Sequence, residues 1–391
     1  MFKINSTHTI ILLIILIVIA FLLNRYSEKE KRERKPYENQ YSAIQKYLLN
    51  ENTTDKDLEK SKKPIMWIHI VNEYNSRMWE SFGSRSSFHL NQPYMYLTVK
   101  SIISKCEESF HICLIDDNAF AMLLPTWQID MTKISDPILE NMRQLGLAKL
   151  VHKYGGMIVP PSFLCFKDLK NLYNTGTQHD SRMFVCETVD RNVTSTTNNM
   201  YPNIRFMGAP KENHMIHELI EKIQRTISDD YTAQSVFLGD YNRWILKQVE
   251  KNKIYLVDGK LIGTKTIDDE PILVDDLLSN NYIKLYSGAD GIYIPSDEIL
   301  NRRNYEWFAR LSPAQVLESK MIISKYILVA NIPGVQSGQI EAYQGENKKI
   351  VEDEVTYWRV PSGAPVYGLR PLGLGDNRVL KNISGSEYFN G

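Results

Sequence analysis

The sequence carries no surplus of either charge: 46 Lys and Arg stand against 46 Asp and Glu in 391 residues. With no global field, nothing draws the chain as a whole to nucleic acid, which is not expected as a partner. Cysteine is scarce. The four present, Cys106, Cys113, Cys165 and Cys186, are scattered through apolar stretches without a CxxC spacing. That excludes zinc-ribbon and dithiol redox motifs and favours buried thiols, while a single disulfide such as Cys165–Cys186 stays open. Also missing are a glycine-rich phosphate loop, a metal-ligand cluster, a nucleophile–base pair and any internal repeat. Apolar residues make up 43% of the chain, enough for a real core in one large domain or two ordinary ones.

What the sequence does have begins at its N-terminus. From Ile4 to Asn24 no residue carries a formal charge, and Ile10 to Leu23 is wholly apolar. As a helix the uncharged run spans roughly 30 Å, about the core of a bilayer. Leu-Asn-Arg-Tyr-Ser-Glu-Lys follows, without the small residues a cleavage site needs. Residues 1–24 are therefore expected to be an uncleaved transmembrane anchor, with the lipid bilayer as a partner. Lys3 precedes it, whereas Arg25, Lys29, Lys31, Arg32, Arg34 and Lys35 follow. By the positive-inside rule the protein is a single-pass membrane protein with its large domain on the cytosolic side. The sequons at Asn5, Asn52, Asn192 and Asn382 are as many as chance gives in a chain this rich in Asn, Ser and Thr. They do not argue for a lumenal domain.

Residues 25–63 are charged and polar and read as a juxtamembrane stalk, helical in part around Tyr41 to Leu49. A globular pattern starts at Pro64. PIMWIHIV (64–71) and FHICLIDD (110–117) are short apolar runs that predict buried strands. Helical spacing marks Tyr94 to Cys106 and Ile138 to Tyr154, the latter stopped by Gly155-Gly156. MIVPPSFLCF (157–166) reads as one extended segment and RMFVCETV (182–189) as another strand. Helices are expected over Glu212 to Ile227 and Val236 to Glu250, and short strands and turns over 253–300. Periodicity leaves Met321 to Ala330 as either strand or buried helix. The alternation predicts an α/β domain, Rossmann-like, with a mostly parallel sheet and flanking helices over 64–330. A loop-rich C-terminal extension (331–391) is suited to a protein partner. Ligands of such sheets bind at the carboxyl ends of the strands, where Asp116, Asp117 and the 160–162 turn would lie.

These motifs together resemble the DxD-type glycosyltransferases, the family of yeast mannosyltransferases and capsular polysaccharide synthesis proteins. PIMWIHI resembles its first strand, with His69 matching the family's His. FHICLIDD resembles its second, which ends in Asp116-Asp117. KLVHKYGGMIV resembles the helix-to-strand segment, with Tyr154, Gly155 and Gly156 matching. NIRFMGAPKENHMIHELIEKI (203–223) is similar to a later segment. The likeness covers roughly residues 64–225. It implies a GT-A-like domain, a nucleotide-sugar or glycan as ligand, and a divalent metal bridging the phosphates of the departing nucleotide. The family's metal-binding Asp-x-Asp falls on Pro160, Pro161 and Ser162, and its sugar-nucleotide Asp and Arg fall on Gln144 and Leu147. Proline brings neither a ligand atom nor an N–H, so no metal and no cofactor are expected. The chain's own Asp55-Lys56-Asp57 lies in the stalk and reads as a solvated cluster.

Each candidate has two readings. Asp116-Asp117 bind a ribose or a donor sugar, or cap the following helix; His69 is catalytic or a satisfied core histidine. Asp240 is an acceptor-side base or a turn residue. Lys149, Lys153 and Lys167 neutralise a diphosphate or are surface charges. The acids at 268, 269, 270, 275 and 276 hold Ca²⁺ or line a solvated loop. Tyr154, Gly155 and Gly156 complete the candidate ligand set, and no catalytic residue is assigned. The functional expectation is a membrane-anchored glycosyltransferase-like protein, degenerate as a catalyst and acting as a binding or structural component. The alternative is an active transferase with a metal-independent or unrecognised site.

Overall fold

The computed structural model describes residues 58, 61–70, 92–134, 138–178, 182–189, 199–229, 234–302, 304–311 and 313–331, with only the backbone for 234–240 and 301. The expected anchor, nearly all of the stalk and the tail beyond Asn331 lie outside them. Among the described residues no helix is long and apolar enough to cross a membrane.

The expected α/β architecture is present. Strands β1 (Ile65–His69), β2 (His111–Ile115), β3 (Gly156–Ile158), β5 (Met183–Val189), β6 (Met200–Ala209) and β7 (Ile254–Val257) form a six-stranded, mostly parallel sheet in the order β2-β1-β3-β6-β5-β7. β1 pairs in parallel with β2 and β3, and β5 with β7, while β6 runs antiparallel between β3 and β5. Every residue of β1 is buried, which is why it reads as a continuous apolar run rather than an alternation: both faces are covered. A second sheet pairs β4 (Phe163–Cys165) with β8 (Gly291–Tyr293).

The helices are α1 (Met95–Cys106), α2 (Ala119–Leu123), α3 (Ile138–Tyr154), α4 (Lys170–Thr177), α5 (His214–Ser228), α6 (Gln234–Glu250), α7 (Val274–Leu278), α8 (Ser296–Asn301), α9 (Glu306–Ala309), α10 (Pro313–Glu318) and α11 (Ile322–Asn331). One core gathers Trp67, Phe120, Leu147, Leu150, Ile216 and Ile223. Another lies around the second sheet and the last helices, with Leu164, Ile292, Phe308 and Ile327 joined by Tyr94 and Leu97. α3 is buried along nearly its whole length, and that burial includes Asn141, Arg143 and Gln144. A helix enclosed in this way must satisfy its polar side chains with protein partners.

One expectation changes, one strand appears that the sequence pattern hid, and two open alternatives close. The 157–166 segment is not one strand: it leaves the main sheet after β3, turns at Pro160–Ser162 and enters the second sheet as β4. Met321 to Ala330 resolves as helix α11. β6 has no counterpart in the sequence reading, because Pro202 and Gly208 interrupt its pattern. Pro202 sits near the strand's start opposite Glu187, and Gly208 leaves room for the Phe184 ring, 2.5 Å from where a Cβ would stand. Finally, all four cysteines are free and buried, as the favoured reading had them, and the open alternative of a Cys165–Cys186 bond is not formed: the Cys165 sulfur meets that of Cys106.

The Tyr154-Gly155-Gly156 break has a steric cause. Both glycines have positive φ, +74° and +98°, a region closed to most side chains. A Cβ on Gly156 would stand 2.0 Å from the Ile65 carbonyl oxygen, so only glycine lets β3 lie against β1 at this point. Trp67 Nε1 donates to the Gly155 carbonyl at 3.1 Å and its ring packs on Tyr154. Tyr154 Oη donates to the Leu123 carbonyl at 2.9 Å. Gly156→Ala is therefore expected to cost about 3 kcal/mol or more. Urea denaturation of the full chain measures it, and a loss below about 1 kcal/mol would contradict the close approach.

Candidate functional site at the carboxyl edge of the sheet

His69 ends β1 opposite Ile115, the last residue of β2, so His69, Asp116 and Asp117 emerge together at the carboxyl edge. The two aspartates then part. Asp116 Oδ1 accepts from the backbone N–H groups of Asn118 and Ala119, each at 3.1 Å, and Asn118 Nδ2 donates to Asp116 Oδ2. Asp116 thus holds the turn that leads into the following helix, whose N-cap is Asn118. Asp117 turns inward. It accepts from His69 Nε2 at 2.9 Å and from Arg143 of α3 through both Nε (3.0 Å) and Nη2 (2.9 Å). Two parallel N–H bonds from a guanidinium are the strongest common form of this pairing.

The imidazole is placed by packing. His69 is 9% exposed and stacks on Phe120, with ring centroids 5.5 Å apart and planes 23° from parallel. Phe120 in turn needs Gly146: a Cβ there would stand 2.7 Å from the ring. Burial alone would raise the Asp117 carboxyl, but hydrogen bonds and positive charge from His69 and Arg143 outweigh it and hold the pKa at about 2. The carboxylate is ionised, so His69 Nε2 carries the bridging proton.

The network continues across the edge. Glu140, in the first turn of α3, accepts from Gln144 Nε2 at 2.9 Å and pairs with Arg205 Nη2 of β6 at 2.9 Å. Arg143 Nη1 lies 3.9 Å from the same glutamate. Arg205 also pairs with Asp297 of α8, which ties the main sheet to the second core. Three carboxylates thus face two guanidiniums and one imidazole.

Between these groups stands the turn where the resemblance places the metal-binding carboxylates. Phe163 N–H donates to the Pro160 carbonyl at 3.0 Å, closing a four-residue turn with Pro161 in its second position, where a fixed φ is favourable. Thr98 Oγ1 of α1 donates to the Pro161 carbonyl, and Ile294 N–H to that of Ser162. The turn is the corner at which the chain changes sheets, and proline suits that geometry. Ser162 is fully buried and its Oγ has no partner; Gln144, 6% exposed, has an unpartnered Oε1. Among the described residues no group of three or more His, Cys, Asp or Glu is placed to hold a metal ion.

The other candidates lie elsewhere. Gly156 sits beside Ile65, four residues before His69 along β1, about 13 Å away. Tyr154, Gly155 and Gly156 therefore do not join His69 and Asp117; they belong to the opposite end of the sheet. Asp240 falls within α6 rather than in a turn, and its side chain lies outside the described residues. Lys149 covers the Trp127 ring, Lys153 donates to the Leu123 carbonyl and Lys167 to that of Gly288. Four of the five acids of the acidic run have partners: Asp268 with Lys284, Asp269 with Lys260, Asp275 with Tyr305, and Asp276 with the backbone N–H of Leu273. Arg143, Glu140, Arg205 and Asp297 escaped the sequence reading. The available signal for the first was an Arg-Gln pair inside the apolar run of α3.

A second perturbed acid has the opposite sign. Burial raises Asp290 to about 6 against the pull of Lys167, so its ionisation opposes folding and stability falls as pH rises from about 4 through 6. Asp117 is depressed below its unfolded value, so its contribution is full above pH 4 and is lost as pH falls toward 2. In urea denaturation Asp117→Asn is expected to be clearly less stable than the natural chain at pH 6, with the gap closing as pH is lowered from 4 to 2.5. A gap independent of pH would mean that Asp117 is not held ionised. Comparison of the chain with protein-family models, curated proteins and solved structures finds no match.

Proposed function

We propose that the chain is a membrane-anchored, glycosyltransferase-like protein with a GT-A-like domain that no longer transfers sugar and acts as a binding or structural component. One observation carries this reading. At the carboxyl edge, where the likeness calls for carboxylates free to take a metal and a donor diphosphate, the chain has a diproline turn, and Asp117 beside it is engaged by Arg143 and His69. An ionised carboxylate gripped on both oxygens by a guanidinium is a poor ligand for a hard cation, since binding one means giving up the pair. The uncharged run at residues 4–24 and the basic residues after it support an anchor with the domain on the cytosolic side. The tail from 332 to 391 is the segment proposed to reach a protein partner.

A second reading is an active transferase that works without metal. Two buried polar atoms without partners at the same edge, Gln144 Oε1 and Ser162 Oγ, favour it, because such atoms in a closed site await a hydrogen-bonding ligand or water. Arg205, about one-third exposed, would supply positive charge toward a phosphate.

Calorimetric titration of the detergent-purified full chain with nucleoside diphosphates and sugar nucleotides, with and without Mn²⁺, separates them. The proposal expects no binding across the panel from folded protein. Tight binding of one nucleotide irrespective of metal would overturn the proposal in favour of the second reading, which sugar transfer by the same protein would then have to show. Binding that requires Mn²⁺ would contradict both.

A further inference from the structure

Each of the four cysteines is buried and free, and two of them meet. Cys106 is the last residue of α1 and Cys165 the last of β4; their sulfurs are 3.9 Å apart, 59 residues distant in sequence, and both residues are 0% exposed. The structure records no such contact for Cys113 or Cys186. The surrounding bonds align the two elements over several turns. Thr98 Oγ1 of α1 donates to the Pro161 carbonyl, and Cys165 N–H donates to Ser101 Oγ at 2.9 Å, one level further along. The Cys165 thiol itself points to the Lys167 carbonyl at 2.9 Å. Bringing the sulfurs to a bond of about 2.05 Å needs a combined displacement of roughly 2 Å, within reach of side-chain rotation.

We propose that Cys106 and Cys165 are a disulfide-forming pair, which closes when the chain folds in the presence of a disulfide oxidant and locks α1 onto the strand that follows the diproline turn. The oxidant is a small-molecule or protein disulfide. One cysteine thiolate attacks it, forming a mixed disulfide and releasing one thiol. The second cysteine thiolate then attacks the first cysteine's sulfur and expels the other thiol, so two protons and two electrons leave the pair and the oxidant is reduced. Full burial, which also pushes the Cys165 thiol well up, shields the pair in the closed domain. The bond therefore forms during folding or through transient opening, and once formed it is protected. Its consequence falls on the turn: with α1 cross-linked to β4, the helix that holds the Pro161 carbonyl can no longer separate from the strand behind it.

The test holds the full chain for hours just below its unfolding midpoint, with either oxidised or reduced glutathione. Free thiols are then blocked with N-ethylmaleimide and the protein is digested without reduction. Circular dichroism on the same samples confirms that they are folded. The expected result in oxidised glutathione is a dominant Cys106–Cys165 linked peptide, with Cys113 and Cys186 alkylated. The unfolding midpoint should rise by roughly 5 °C or more over the reduced sample. Cys106→Ser and Cys165→Ser should each abolish both the link and the rise, whereas Cys113→Ser should leave both in place. Four alkylated thiols in folded, oxidised protein, or a dominant Cys165–Cys186 link, would overturn the proposal.

Discussion

The guanidinium of Arg143 is 7% exposed, in the second turn of the largely buried α3. A charge in that position is tolerated only if an opposite charge meets it with good geometry, and Asp117 does so on two N–H bonds. From that requirement much of the edge follows. The loop after β2 must turn Asp117 inward while Asp116 stays behind to hold the turn into α2. The pair leaves one face of the carboxylate to His69, and His69 needs Phe120 beneath it and therefore a glycine at 146. Glu140 and Gln144, on the same helix, extend the arrangement to Arg205 and through it to Asp297 beside the second core.

The two ends of the sheet answer to different constraints. At the amino end of β3, Gly155 and Gly156 are fixed by backbone approach: positive φ and the Ile65 carbonyl leave no space for a side chain. That demand persists whatever chemistry the opposite end performs. At the carboxyl end, nothing steric dictates carboxylates at 160 and 162, and the corner between the two sheets is well made by proline. The two ends can thus vary separately, because packing and chemistry draw on different residues.

This division also governs what could be read from the sequence. β1, β2 and β5 were legible as apolar runs because burial on both faces removes alternation, and α3 announced its end through two glycines. Residues 157–166 misled because a chain that passes from one sheet into another stays extended on either side of its turn. β6 was hidden by Pro202 and Gly208, whose presence makes sense only once Phe184 is seen above the strand. Of the candidate site, His69 and Asp117 were visible as polar ends of apolar strands. Their partners were not, since Arg143 and Arg205 become significant only when the fold brings α3 and β6 to the same edge. The Tyr154 cluster was placed with them by likeness, and the sheet puts it at the other end.

The Arg143–Asp117 pair commits both side chains to one another and keeps Asp117 from a ligand at the edge of the sheet. A double-mutant cycle on folding stability at pH 7, with Asp117→Asn, Arg143→Met and the two combined, tests it most directly. Each single change is expected to be costly and the double variant to recover part of the loss, with a coupling on the order of 2 kcal/mol. Additive effects, with a coupling under about 0.5 kcal/mol, would mean that the two side chains are not committed to one another, and would leave Asp117 free to serve a ligand.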